Sequence, residues 1–86
     1  MVTLIIPAYN EESTIGRLLD EVSGHFSIKE IIVVDDASSD ATAQIAREKG
    51  VRVISLAENI GKAGAMEAGV SAASHDIFLF LDADVT

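Results

Sequence analysis

Hydrophobic positions fall into four short blocks, Val2–Ile6, Glu30–Val34, Val51–Leu56 and Asp76–Leu81, rich in Val, Ile, Leu and Phe and without strict polar–apolar alternation. A block of this kind suits a strand covered on both faces, as in a parallel sheet. Between the blocks the period changes. Ile15, Leu18, Leu19 and Val22 recur at spacings of three and four, which predicts a helix over Glu11–Val22. Asn10 or Ser13 would cap it, Glu11 and Glu12 suit the positive end of its dipole, and Gly24 would end it. A second helix is predicted over Asp40–Lys49, capped by Ser38 or Ser39 and stopped by Gly50, with Arg47 and Lys49 in its last turn. A third, over Lys62–Ala73, is built from alanine and glycine, a composition that permits close approach to a sheet at some cost in helix propensity.

The predicted order is β-α-β-α-β-α-β with short connections. Right-handed crossovers turn that order into an α/β doubly wound parallel sheet, Rossmann-like, with about four strands and three helices. No linker, low-complexity segment or repeat interrupts it, and 86 residues make one domain at most.

Polar residues gather where the predicted strands end. Pro7-Ala8-Tyr9-Asn10-Glu11 follows the first strand, Asp35-Asp36 the second, and Asp82-Ala83-Asp84 the fourth. In an open parallel sheet these ends share one edge, and ligands bind there. Each cluster also has a plainer reading. Asp36 could start the turn at Ser38–Asp40, Tyr9 could be an ordinary half-buried aromatic, and Lys62 could be a solvated lysine. Lys62 does sit against the dipole at a helix start, which favours a bound anion nearby. Asp82 and Asp84 are the sharpest signal, because like charges held close cost energy unless a cation relieves them. Two carboxylates make a hard-oxygen site for Mg2+ or Mn2+, and a cation so held commonly takes up substrate phosphates. His25 and His75 precede strands, at the opposite edge, and read as surface residues.

Composition narrows the partners. Fourteen acids against six bases give a net charge of −8, which disfavours nucleic acid. There is no cysteine, hence no disulfide or thiolate site. No basic stretch precedes an apolar core at the N-terminus, and the longest apolar runs, Ile31–Val34 and Ile77–Leu81, are too short for a bilayer. The expected location is cytoplasmic, with a membrane anchor open for a longer parent protein.

Four stretches, "IIPAYNEESTI", "IIVVDDASSD", "NIGKAGAMEAG" and "FLFLDADVT", together resemble the family 2 glycosyltransferases of the GT-A fold, in the family's order and spacing and over essentially the whole chain. The resemblance implies roles. Pro7, Ala8, Tyr9 and Glu11 would line the base and ribose of a nucleotide, Val34 and Asp36 would contact the base, and Lys62 would add to the nucleotide site. Asp82-Ala83-Asp84 would be the DXD motif, with Asp82 facing ribose or metal and Asp84 ligating the cation on the diphosphate of a UDP- or GDP-linked sugar. The stretch "GKAGAMEAG" looks most like enzymes that transfer sugar to dolichyl or polyprenyl phosphate. Many members carry an arginine where this chain has Met66 or Glu67, which removes one phosphate contact and leaves the subfamily open. The chemistry implied is inverting transfer to a lipid-phosphate or glycan acceptor. Its general base and acceptor surface would come from a half that follows the DXD motif. Residues 1–86 therefore read as a nucleotide-sugar-binding subdomain cut just after that motif, without turnover of its own.

Other readings fit less of the chain. The tail matches the D-x-D-x-T of haloacid-dehalogenase phosphatases, with Asp82 as nucleophile and Asp84 as general acid, but that family opens its domain with this strand. A dinucleotide-binding domain requires G-x-G-x-x-G where "PAYNEE" stands. A response-regulator receiver carries its acidic pair after the first strand. A non-catalytic nucleotide-binding or structural module remains the alternative outside enzymes. A cut sheet would also leave an apolar edge, which predicts self-association; a clean monomer at high concentration in the ultracentrifuge would contradict it.

Overall fold

The structure is a computed structural model that describes residues 2–25, 27–74, 77–81 and 83, the side chains of residues 77 and 79 excepted. Its elements run β1 (Val2–Ala8), α1 (Ile15–Ser23), β2 (Ile28–Asp35), α2 (Thr42–Glu48), β3 (Arg52–Ser55), α3 (Gly61–Ala72) and β4 (Ile77–Phe80). The strands form a four-stranded sheet in the order β3-β2-β1-β4, parallel at every pairing. The chain steps outward from β1 to β3 and then crosses back to lay β4 on the other flank of β1. The order of strands therefore reverses beside β1, and a crevice opens at that place outside the strands' carboxyl ends.

The missing alternation has its cause in the two faces. Leu4, Ile6 and Ala8 of β1 and Val33 of β2 pack against Ile15, Leu18 and Leu19 of α1 and Ala46 of α2. Ile5 of β1 with Ile32 and Val34 of β2 packs on the opposite face against Ala65 of α3. Both faces of β1 and β2 are covered, so neither strand has a polar side to display. The small residues of α3 let it lie close. A methyl group at Gly69 would come within 2.5 Å of Ile5 Cγ2 and 3.3 Å of Val34 Cγ2, so only glycine fits there without movement.

The helix starts differ from the predicted ones for a common reason. α1 begins at Ile15 rather than Glu11, because residues 11–14 form a turn in which the N–H groups of Thr14 and Ile15 both donate to the Glu11 carbonyl, at 3.1 and 2.9 Å. α2 begins at Thr42 rather than Asp40. The predicted caps Asn10, Ser38 and Ser39 are used up between the two loops. The Asn10 N–H donates to Ser38 Oγ at 2.8 Å, and the Ser39 N–H donates to Asn10 Oδ1 at 2.8 Å. Ser13 does not cap either; the cap position of α1 is Thr14. α3 begins at Gly61, one residue before the predicted start. Gly50 stops α2 at φ +82°, in the left-handed region that glycine tolerates. Gly24 ends α1 in a right-handed conformation, which asks for no glycine. At the other end of the sheet Arg52 Nη1 donates to the Ala72 carbonyl at 2.7 Å, and Glu30 accepts from Thr3 and Ser74, tying down the C-terminus of α3. No described helix is long and apolar enough to cross a membrane.

Candidate functional site at the carboxyl edge of the sheet

A cavity of about 300 Å³ opens at the reversal point, near the lower bound of small-molecule sites. The end of β1 supplies Pro7 and Ala8, and the turn after it Tyr9 and Glu11. Asp36 enters from the end of β2, and Ala83 from beyond β4. Asn59, Gly61, Lys62 and Ala65 form the side that belongs to α3. Segments more than 70 positions apart in sequence thus converge on one rim, as the placement of their polar residues predicts.

Tyr9 is 48 % exposed, its ring on the rim. Its loop is held by bonds to the β2–α2 loop. Besides the Asn10 pair, the Glu11 N–H donates to Thr42 Oγ1 at 2.8 Å. The Glu12 N–H donates to Asp40 Oδ2 and the Ala41 N–H donates to Glu12 Oε1, each at 3.2 Å. Asn10 at φ +53° and Ala37 at φ +63° take left-handed conformations that non-glycine residues seldom hold, and these cross-loop bonds keep Asn10 there. Asp40 is pulled two ways. Partial burial pushes its carboxyl up, but hydrogen bonds from the Thr42 hydroxyl and N–H and from the Glu12 N–H outweigh that and leave it below its ordinary value.

Asp36 is 4 % exposed, and both of its carboxylate oxygens are engaged. Oδ1 accepts the Ile60 N–H at 2.8 Å and Oδ2 the Gly61 N–H at 2.9 Å. Asn59 Nδ2 donates to the Asp36 carbonyl at 3.3 Å. Asp36 is therefore the cap of α3, supplied from a neighbouring strand, and the turn at Ser38 is closed by Asp35 instead, whose Oδ1 accepts the Ser38 N–H at 3.3 Å. This corrects the reading of Asp36 as the start of that turn. It also means that the positive end of α3 already holds an anionic group. Lys62, exposed and one residue into the helix, lines the same cavity as Asp36.

Val34 stands elsewhere. Its side chain is fully buried among Ile5, Ile32 and Ala65 and takes no part in lining the cavity, so it is not placed for a side-chain contact with a base. Asp82 and Asp84 lie outside the described residues, as does His75; Ala83, between the two aspartates, is buried in the core with Ala8 and Ile15. The Thr14 hydroxyl lies 3.1 Å from the Ala83 carbonyl and 3.1 Å from Glu11 Oε2. His25 is exposed in the turn before β2, away from the site. The sequence reading missed Asn59, Gly61 and Ala65 as wall residues. The signal was present in "NIGKAGA", since a polar residue and a glycine just before a helix mark a loop that ends on the sheet edge.

The chemistry on offer suits a hard cation. The chain has no cysteine and so no thiolate ligand, and Glu11 lines the cavity beside the segment that contains Ala83. Among the described residues no three His, Asp or Glu converge tightly enough to hold a metal alone.

A parallel α/β sheet with a cavity at its strand reversal is a doubly wound, Rossmann-like domain with its crevice where such sheets take their ligands. The chain belongs, more narrowly, to glycosyl transferase family 2, whose model matches residues 3–86. It is 42 % identical over 90 aligned residues to a 4,4'-diaponeurosporenoate glycosyltransferase of Staphylococcus haemolyticus, covering 98 % of this chain and 24 % of that protein. Among solved structures, glucosyl-3-phosphoglycerate synthase from Mycobacterium tuberculosis in complex with UDP superposes with a TM-score of 0.89 at 33 % identity, over 100 % of this chain and 34 % of that one. A mannosyltransferase from Pyrobaculum calidifontis in complex with GDP-Man and Mn2+ does so with a TM-score of 0.89 at 31 % identity, over 96 % and 27 %. The chain spans about a quarter of the length of the curated relatives it matches.

Proposed function

We propose that these 86 residues are the donor-binding part of a family 2 glycosyltransferase, taking up a UDP- or GDP-linked sugar with a divalent cation. The observation that carries the reading is the cavity. It gathers Pro7, Tyr9, Glu11, Asp36, Lys62 and Ala83 at one sheet edge. Support also comes from relatives solved with UDP and with GDP-Man and Mn2+. Tyr9 offers a base an aromatic face. Asp36 offers only accepting oxygens, and its N–H partners on α3 fix their direction. Lys62 balances phosphate charge. Asp82 and Asp84 would hold Mg2+ or Mn2+, which when bound supplies Lewis-acid stabilisation of a departing nucleoside diphosphate. Transfer would invert the anomeric centre, as the family resemblance implies. The acceptor, a polyprenyl phosphate or glycan by resemblance, would be met outside this cavity.

The test is calorimetric titration of wild type and Asp84→Ala with UDP, GDP and UDP-glucose, with and without Mn2+. Metal-dependent binding to wild type, abolished in the variant, is the expected result. Wild type that ignores every one of these ligands defeats the proposal. Tight NAD binding without metal would point instead to a dinucleotide domain.

A further inference from the structure

Asp36 is buried and lines the cavity, yet its carboxylate is already in use. Oδ1 accepts the Ile60 N–H at 2.8 Å and Oδ2 the Gly61 N–H at 2.9 Å. Each carboxylate oxygen has two lone pairs, a forward one parallel to its counterpart on the other oxygen and an outward one. The two outward lone pairs point away from each other, and adjacent amide nitrogens, about 3.6 Å apart at most, cannot reach both. At least one forward lone pair is therefore taken by the start of α3. A ligand edge with two parallel N–H groups needs both forward lone pairs at once and finds no place on Asp36. A single N–H does find one, at a lone pair that α3 leaves over. Beside it, Asn59 lines the same cavity, and its Nδ2 gives one of two N–H groups to the Asp36 carbonyl at 3.3 Å. The other is left for an acceptor on a ligand.

Nucleobases differ on this point. Uracil presents one ring N–H between two carbonyl oxygens. Guanine presents a ring N–H and an exocyclic amine side by side, the fork that a free carboxylate binds with both oxygens. We propose that the cavity selects uracil over guanine, because capping α3 has closed the Asp36 fork. The uracil N3–H meets one Asp36 oxygen, and a neighbouring uracil carbonyl accepts from Asn59. Guanine placed the same way keeps its amine without an acceptor beside a buried carboxylate, and an unmet donor weakens binding. This rests on the donor-site reading above and narrows the donor to a uridine-linked sugar.

The test compares UDP, CDP, GDP and IDP on the wild-type chain by calorimetry, each with saturating Mn2+. All four carry the same diphosphate, so differences among them belong to the base. CDP has the size of UDP but a ring nitrogen that accepts where uracil donates. IDP is GDP without the exocyclic amine. UDP should bind about tenfold tighter than CDP and than GDP, the worth of one hydrogen bond lost or left unmet. GDP should bind no tighter than IDP, and the Ile60 and Gly61 amide protons should stay protected from exchange in the UDP complex. GDP that binds as tightly as UDP, or tighter than IDP, overturns the proposal and leaves the donor site standing. So does CDP equal to UDP, the mark of selection by size alone, and so does exposure of the two amides when UDP binds. Failure of all four to bind overturns the donor-site reading together with this one.

Discussion

Tyr9 and Asp36 stand on a wall where loops from β1 and β2 are joined by cross-loop bonds at residues 10–12 and 38–42, and where Asp36 closes the start of α3 with both oxygens. Ala83 stands on the facing wall, tied by a side chain through the Thr14 hydroxyl alone among the described residues. The first wall is redundant: several backbone donors are satisfied by several side chains, so loss of one bond leaves the rest in register. The second, among the described residues, has one side-chain hydrogen bond besides the packing of Ala83 into the core and the bond from the Leu81 N–H to the Ile5 carbonyl.

Substitutions at three positions on the redundant wall would sharpen this contrast. The largest effect belongs to Asp36→Ala, which strips the Ile60 and Gly61 N–H groups of their acceptor. A loss of about 2 kcal/mol is expected, with a fall in melting temperature of roughly 8–16 °C for a domain of this size. Circular dichroism melts check it. A drop no larger than that of an exposed surface variant would mean that α3 does not depend on β2 for its start.

Asn10 comes next. Asn10→Ala removes the acceptor for Ser39 and places a side chain in the left-handed region without compensation, at a cost of about 1–2 kcal/mol. Asn10→Gly loses the same acceptor but accepts the positive φ, so it should fall between wild type and alanine in urea denaturation. Equal midpoints for the two variants would show that the conformation at Asn10 carries no strain.

The smallest effect is that of pH on the loop joint. The Asp40 carboxyl is depressed in the fold from its ordinary value of 3.8. A depressed acid contributes its stability above the unfolded value and loses it as pH falls through the folded one. Asp40→Asn should therefore be slightly less stable than wild type at pH 7, and the gap should close below pH 3.8. A gap that is constant across that range would place the origin of the Asp40 contribution outside its charge. The side chain lies near the surface, so solvent screening keeps the difference small.

The sheet was legible because burial on both faces leaves a mark in the residues themselves: Leu4, Ile5 and Ile6 are consecutive, and only a strand covered twice can use all three. The rim was legible because topology sends the residues after parallel strands to one edge. The local joints were not. Asn10, Ser38 and Ser39 have the chemistry of helix caps, and nothing in a linear pattern reveals that two loops 28 positions apart face each other. For Asp36 the sequence offers its nearest turn beside a role at the base, and neither points to the N–H partners 24 and 25 residues on. Val34 fell inside a motif of functional look, but alternation along β2 turns it to α3, into the core.

The absent side chain at Gly69 reaches further than packing. Because β1 and β2 touch the helix backbone there, α3 has no room to slide along the sheet, and Ala65 and Lys62, one and two turns earlier, are set at fixed depth. An arriving ligand thus meets a floor already seated, and its affinity measures complementarity to that floor rather than the work of assembling one.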